Sequence, residues 1–228
     1  MRRLPSPPFQ GHLQEHPPSP PPQPSPTCAL CPRLAGFRAA NARSQPDWHN
    51  APVPSFGGLD ARLLVVGLAP GLRGANASGR PFTGDYAGAL LFPTLLKFGF
   101  AEGAYGARAD DGLRLKDARI SNAVRCVPPQ NKPTTTEIRT CAPFLSAEIA
   151  AMPRLRCVIT LGSIAHGSVL KALGLRAKDA PFGHGAECDA GGIAVIASYH
   201  CSRLNTNTGR LTAAMFEDVF RAAREVTG

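Results

Sequence analysis

Four short strand-like runs constrain this chain more than any other feature. They are Leu63-Leu64-Val65-Val66, Arg119-Ile120-Ser121-Asn122-Ala123-Val124, Cys157-Val158-Ile159-Thr160-Leu161 and Ile193-Ala194-Val195-Ile196-Ala197. They lack the regular apolar–polar alternation of a sheet with one wet face, which fits parallel strands covered on both sides. Helical segments lie between them: Ala87–Phe98, Glu137–Met152, Ile164–Leu173 and Thr212–Val226. Thr134 and Glu137 are spaced as a capping box, and Pro143 inside the second segment predicts a kink. Met215, Phe216, Val219 and Phe220 recur at helical spacing. Strand and helix alternate four times, so the expected fold is a three-layer α/β/α domain. Ligands of such sheets sit beyond the carboxyl ends of the strands. The segments leaving each strand are therefore where chemistry is expected.

Residues 1–27 hold 10 of the 23 prolines, including the run Pro20-Pro21-Pro22. That composition predicts a disordered or polyproline-like arm, with the globular domain spanning 28–228. No apolar run reaches the ~18–20 residues of a membrane span, the best being broken by Pro93. Arg2-Arg3 is not followed by an apolar stretch, so no secretory signal is expected. The expectation is a soluble, cytoplasmic monomer without membrane contact. The net charge of +9 favours an anionic partner such as nucleic acid. Arginine outnumbers lysine 20 to 5; guanidinium pairs bidentately with phosphate, although a GC-rich genome gives the same bias.

Three segments stand where the fold would place a ligand. After the first strand comes Gly67-Leu68-Ala69-Pro70-Gly71, continuing through a glycine-rich loop to Asp85 and Gly88. Its glycines let backbone N–H groups approach a ligand, but it is neither a Walker A loop nor a dinucleotide fingerprint. The second strand carries Asn122 near its end, and Arg125 to Pro133 follows. The fourth leads into Tyr199-His200-Cys201-Ser202-Arg203-Leu204. Asp85, Asn122 and His200 could converge on one crevice. Each also has a plain structural reading, as helix cap, strand-end amide and surface turn residue respectively.

The seven cysteines are an odd number, which argues against a disulfide framework. Cys28-Ala29-Leu30-Cys31 is a C-x2-C pair, and with Cys126 and Cys141 it supplies four thiolates. That is enough for tetrahedral zinc or for a [4Fe-4S] cluster, and spacing alone leaves both open. Cys157 lies in a strand and reads as core packing; Cys188 and Cys201 have no partner at ligand spacing.

The phrases GLAPG, SGRPFTGDYAG, NAVRCVPPQNKPTTTEI and YHCSRLNTNTGRLT resemble the family 5 (type B) uracil-DNA glycosylases, from about Cys28 to the C-terminus. One departure is Cys201, where that family often has proline after the histidine. The resemblance implies an α/β/α sandwich around a central four-stranded parallel sheet. It implies excision of uracil, and of other deaminated bases such as hypoxanthine, from DNA. It also implies a [4Fe-4S] cluster on Cys28, Cys31, Cys126 and Cys141, presenting Arg125 and Lys132 toward DNA.

The chemistry then assigns candidate roles. Asp85 would stabilise the sugar cation and handle water. Related family 4 enzymes generally have glutamate where this chain has Leu68, so the water task falls to Asp85. Asn122 would pair with uracil N3–H and O4, Phe82 would stack on the base, and His200 would donate toward O2. Backbone N–H groups of Gly67, Leu68 and Ala69 would line the pocket. Arg73, Arg80, Arg203 and Arg210 would touch phosphate, and Leu204 would wedge into the base stack. Lys132 is the only lysine in these motifs, which argues against a Schiff-base lyase. Two rival readings are a non-catalytic iron–sulfur nucleic-acid-binding protein and a nucleotide-metabolising hydrolase with a four-cysteine zinc site.

Overall fold

The structure is a computed structural model and describes residues 20–228. In chain order the elements are α1 (Pro32–Ser44), β1 (Leu63–Gly67), α2 (Ala75–Ser78), α3 (Tyr86–Lys97), β2 (Ala101–Glu102), β3 (Arg114–Leu115) and β4 (Ala118–Asn122). A short 3-10 turn at Pro129–Asn131 follows, then α4 (Thr135–Ala150), β5 (Cys157–Leu161), α5 (Ser163–Ala172), β6 (Glu187–Asp189), β7 (Ala194–Ser198), α6 (Arg203–Asn207) and α7 (Ala213–Thr227). The main sheet has the order β4-β1-β5-β7-β6, and β2 and β3 form a separate antiparallel ribbon.

The four expected strands are all present and mutually parallel. Every residue of β1, β4 and β5 is buried. Side chains alternate between two apolar layers, as strand geometry requires. Leu63, Val65, Ile120 and Ile159 face Leu91, Phe92, Phe216 and Phe220 from α3 and α7. Leu64, Val66, Val158 and Val195 face Leu145, Ile149, Val169 and Leu170 from α4 and α5. Both layers being dry is why the runs show no alternation in sequence. Cys157 is fully buried in the first layer, as its strand position predicts.

The sheet has five strands rather than four. The additional β6 pairs antiparallel to β7 at the edge, Cys188 opposite Val195. Its sequence, Glu187-Cys188-Asp189, has no apolar run to reveal it, because only its half-buried cysteine turns inward. Helix α1 is likewise invisible to periodicity, since it buries only Leu34 and Arg38. The capping box at Thr134 and Glu137 is formed in full, and α4 continues through Pro143.

The expected disordered arm reached to residue 27, but 20–27 pack against the domain. Pro21 is buried. Gln23 Oε1 accepts from Arg125 Nη1 at 3.3 Å, and Pro26 O accepts from Arg38 Nη1 at 3.1 Å. Proline residues have no N–H to satisfy but leave carbonyls for side-chain donors, and composition cannot show that such donors wait nearby. Residues 1–19 lie outside the described structure. Among the described residues, no helix is long and apolar enough to cross a membrane.

Arg125 does not face DNA, contrary to the sequence expectation. Its side chain is 1% exposed and its Nη2 donates to Glu148 Oε2 at 2.6 Å. Glu148, on α4, also accepts from Arg119 Nε at 2.6 Å and from Ser121 Oγ at 2.7 Å. Burial pushes the Glu148 carboxyl pKa up, but the two guanidiniums and the hydroxyl bonds outweigh it and hold it down. This buried triad pins α4 to β4, the strand that carries Asn122.

Candidate active site

A cavity of about 390 Å³ opens beyond the carboxyl ends of β1, β4 and β7. Leu68, Ala69, Phe82, Asp85, Asn122 and His200 all line it, so the sequence-predicted set converges. Gly67 does not line it but makes room for those that do. A β-carbon at that position would lie 2.5 Å from Phe82 Cζ and 2.6 Å from Asn122 Oδ1. Only glycine lets ring and amide close over the end of β1.

Phe82 adopts φ +55, a left-handed conformation costly for a bulky residue. Its carbonyl is held by the Tyr105 hydroxyl at 3.3 Å and approaches Gly88 so closely that a β-carbon there would lie 1.8 Å from it. The strain sets the ring 6.1 Å from the His200 ring, the two planes 26° apart.

Asn122 is 3% exposed, and its Oδ1 is buried without a hydrogen-bond partner. An unmade buried acceptor costs about 1–3 kcal/mol. A ligand N–H entering the pocket would satisfy it.

Asp85 caps α3, its Oδ1 accepting from Gly88 N at 3.0 Å. Its plain structural role is thus real. The carboxylate also lies against Gly71 and Gly74, where β-carbons would stand 3.3 Å and 2.7 Å from Oδ2. Burial raises its pKa, opposed by the Gly88 and Ala87 N–H groups. Burial lowers the His200 pKa, which keeps the ring neutral at neutral pH. The His200 carbonyl accepts from Asn205 Nδ2 at 2.8 Å, fixing the turn. Cys201, at the departure from the family pattern, is fully buried, and burial pushes its thiol pKa up. It fills the core beneath the loop and leaves His200 in place.

Three polar lining residues had no pocket role in the sequence reading: Tyr86, Asn131 and Ser202. Asn131 follows Gln130, both at positive φ (56° and 55°), a conformation that asparagine tolerates. Tyr86 is 40% exposed at the mouth, directly after Asp85.

The expected DNA contacts divide. Arg80 is not at the surface: it is 5% exposed, paired bidentately with Asp111 at 2.8 and 2.7 Å, and lies 5.2 Å from the ring centroids of both Phe56 and Phe92. Arg73 and Arg203 do line an open groove that adjoins the pocket. Lys132 and Arg210 are exposed, and Arg210 lies 4.5 Å from the Tyr199 ring centroid. Leu204 is 71% exposed. Arg203→Ala should therefore flatten the log–log salt dependence of DNA binding by about one unit. Arg80→Ala should instead lower stability without that signature. Equal slopes for Arg203→Ala and the parent would place Arg203 outside the phosphate contacts.

At the rim of the domain, Cys28, Cys31, Cys126 and Cys141 line one small cavity with Leu34, Val124 and Phe144. Cys31 is the residue before α1, and Cys141 Sγ accepts from Arg125 N at 3.4 Å. Buried Arg38 donates to the Cys28 and Pro26 carbonyls, and its Nε is buried without a partner. Burial pushes the Cys126 thiol up to about 12. All seven cysteines are unpaired, and no group of three or more His, Cys, Asp or Glu among the described residues is placed to hold a metal ion.

Fold and site together define an α/β/α protein with a pocket at the sheet's carboxyl edge, edged by amide, carboxylate and imidazole. The chain matches the model of the uracil DNA glycosylase superfamily over residues 54–224. It is 45% identical to the type-5 uracil-DNA glycosylase of Thermus thermophilus over 208 residues, covering 88% of this chain and 94% of that one. Its identity to the type-5 uracil-DNA glycosylase of Pyrobaculum aerophilum is 43%, covering 88% and 89%. The type-4 uracil-DNA glycosylase of Thermotoga maritima is 31% identical, covering 73% and 78%. The chain belongs to the type-5 branch of the uracil-DNA glycosylase superfamily.

Proposed function

We propose that this chain is a monofunctional DNA glycosylase of base-excision repair. It hydrolyses the N-glycosidic bond of uracil in DNA and leaves an abasic site. The observation that carries this is the unpartnered Asn122 Oδ1 in a pocket that also holds Asp85 and His200. Uracil N3–H donates to that oxygen while uracil O4 accepts from the Asn122 amide. Cytosine presents the opposite pattern and leaves the acceptor unmade. Phe82 stacks on the extruded base. As the C1′–N bond lengthens, Asp85 faces the sugar cation and orients or deprotonates the attacking water. Neutral His200 donates to O2 as negative charge gathers there. A protein that only binds DNA could use Asp85 as a helix cap but would not need its carboxylate to face the base pocket.

We extend the substrate range to other deaminated bases such as hypoxanthine, acted on by a monomer in the cytoplasm. The test is release of free base from a panel of oligonucleotides containing uracil, hypoxanthine, thymine or cytosine. Uracil should be released and cytosine retained. Cytosine release matching uracil release would overturn the Asn122 assignment.

We also assign a [4Fe-4S] cluster to the four rim cysteines, although they are not drawn together around a single ion. They share one cavity, one accepts a backbone N–H, and the buried Arg38 guanidinium stands ready to offset a cluster's negative charge. Bound there, the cluster would tie residues 28–31 to the segment from Cys126 to Cys141, which carries Asn131. Purified protein should be brown with about four iron and four sulfide per chain. Colourless protein with one zinc would overturn the assignment.

A further inference from the structure

We propose that Tyr86 is a strut that backs the Leu204 wedge, a positioning residue for nucleotide extrusion; the inference rests on the glycosylase reading above. Leu204 sits on α6, a five-residue helix with no buried residue. The core holds it only through the Leu211 N–H, which donates to the Asn205 carbonyl at 3.0 Å. A groove of about 480 Å³, lined by Tyr86, Leu90, Thr206 and Leu211, adjoins it. A wedge pushed into a base stack is pushed back with equal force, so a short helix with no buried side chain needs support from another element.

Tyr86 supplies that support twice. Its hydroxyl is hydrogen bonded to Thr206 Oγ1 at 3.0 Å, and its ring centroid lies 5.1 Å from the Arg203 guanidinium carbon. Thr206 and Arg203 flank Leu204 on α6. The side-chain tie from Asn205 Nδ2 to the His200 carbonyl and the Leu211 N–H bond to the Asn205 carbonyl both stay within the same loop. Tyr86 is also the first residue of α3, adjacent to the cap Asp85. The strut thus rises from the helix start that fixes the carboxylate, and a wedged α6 is held in register with the pocket.

The experiment uses duplex DNA with a 2′-fluorinated deoxyuridine, which resists glycosidic cleavage, beside a 2-aminopurine reporter. Stacking quenches the reporter, so its fluorescence reads extrusion apart from chemistry. Tyr86→Phe and Thr206→Val should each lower the extrusion equilibrium roughly tenfold, the loss expected for one partly exposed hydrogen bond with its supported contact. The double variant should match Thr206→Val alone, because that change already removes the Tyr86 bond along with the hydroxyl's contacts to the Ser202 and Arg203 carbonyls. Thr206→Val should excise uracil from an unpaired bubble within about threefold of the parent, since no stack opposes extrusion there. Fluorescence equal to the parent's in both variants, or additive losses, would overturn the strut. Equal slowing on bubble and duplex by Thr206→Val would move the effect into the pocket and overturn it as well. A parent protein that leaves the reporter stacked would remove the glycosylase reading itself.

Discussion

Asp85→Asn should slow single-turnover excision of uracil on the order of 100- to 10,000-fold while the protein stays folded. The substitution keeps size and shape but removes the charge facing the sugar cation and the base for water's proton. Two roles of Asp85 separate cleanly here. Asparagine caps a helix about as well as aspartate, so the bond to Gly88 N survives. Burial raises the Asp85 pKa in the folded protein. The folded state then binds the proton more tightly than the unfolded chain, and the ionised carboxylate is a stability cost above that raised pKa. Asp85→Asn removes this cost, so the melting temperature should hold or rise. In the parent, excision should fall as pH drops through the raised pKa, because the carboxylate is the active form. Excision by a folded Asp85→Asn variant within a few-fold of the parent would shift the catalytic role to His200.

Glu148→Gln should destabilise the protein by about 3–5 kcal/mol, because it leaves two buried guanidiniums around one neutral amide. For a chain of this size that is a fall of roughly 10 °C or more in melting temperature. Arg119, Arg125 and Ser121 all converge on this carboxylate, itself fully buried. The pH dependence has a definite sign. The folded-state pKa of Glu148 is lowered, so its contribution is complete above the unfolded value and is lost as pH falls through the folded one. The parent should therefore lose stability in acid more steeply than Glu148→Gln. An unfolding free energy within about 0.5 kcal/mol of the parent's, the scale of surface changes, would show the triad to be unimportant.

These two residues also mark what could be read from the sequence. Asp85, Asn122 and His200 were legible because a parallel sheet gathers its strand exits at one edge, and strands buried on both faces are unmistakable runs. The arginines were not. Arg80 and Arg125 look in sequence like Arg203, yet their partners Asp111 and Glu148 stand 31 and 23 residues away. Charge is local to a residue, whereas burial belongs to the fold. Edge strand β6 and helix α1 escaped for a related reason: each turns one or two side chains inward, too few to make a period. Tyr86 and Asn131 escaped because a pocket mouth is built from loop conformation. No spacing rule reports that Gln130 and Asn131 adopt positive φ in succession.

The central claim is tested most directly on a duplex oligonucleotide carrying one uracil, incubated with the protein and analysed with and without hot alkali. Alkali cleaves the backbone at abasic sites. The account predicts intact DNA without alkali, a single break at the uracil with it, and no break in the cytosine control. DNA that stays whole after alkali, or is already nicked before it, would contradict a monofunctional uracil-DNA glycosylase.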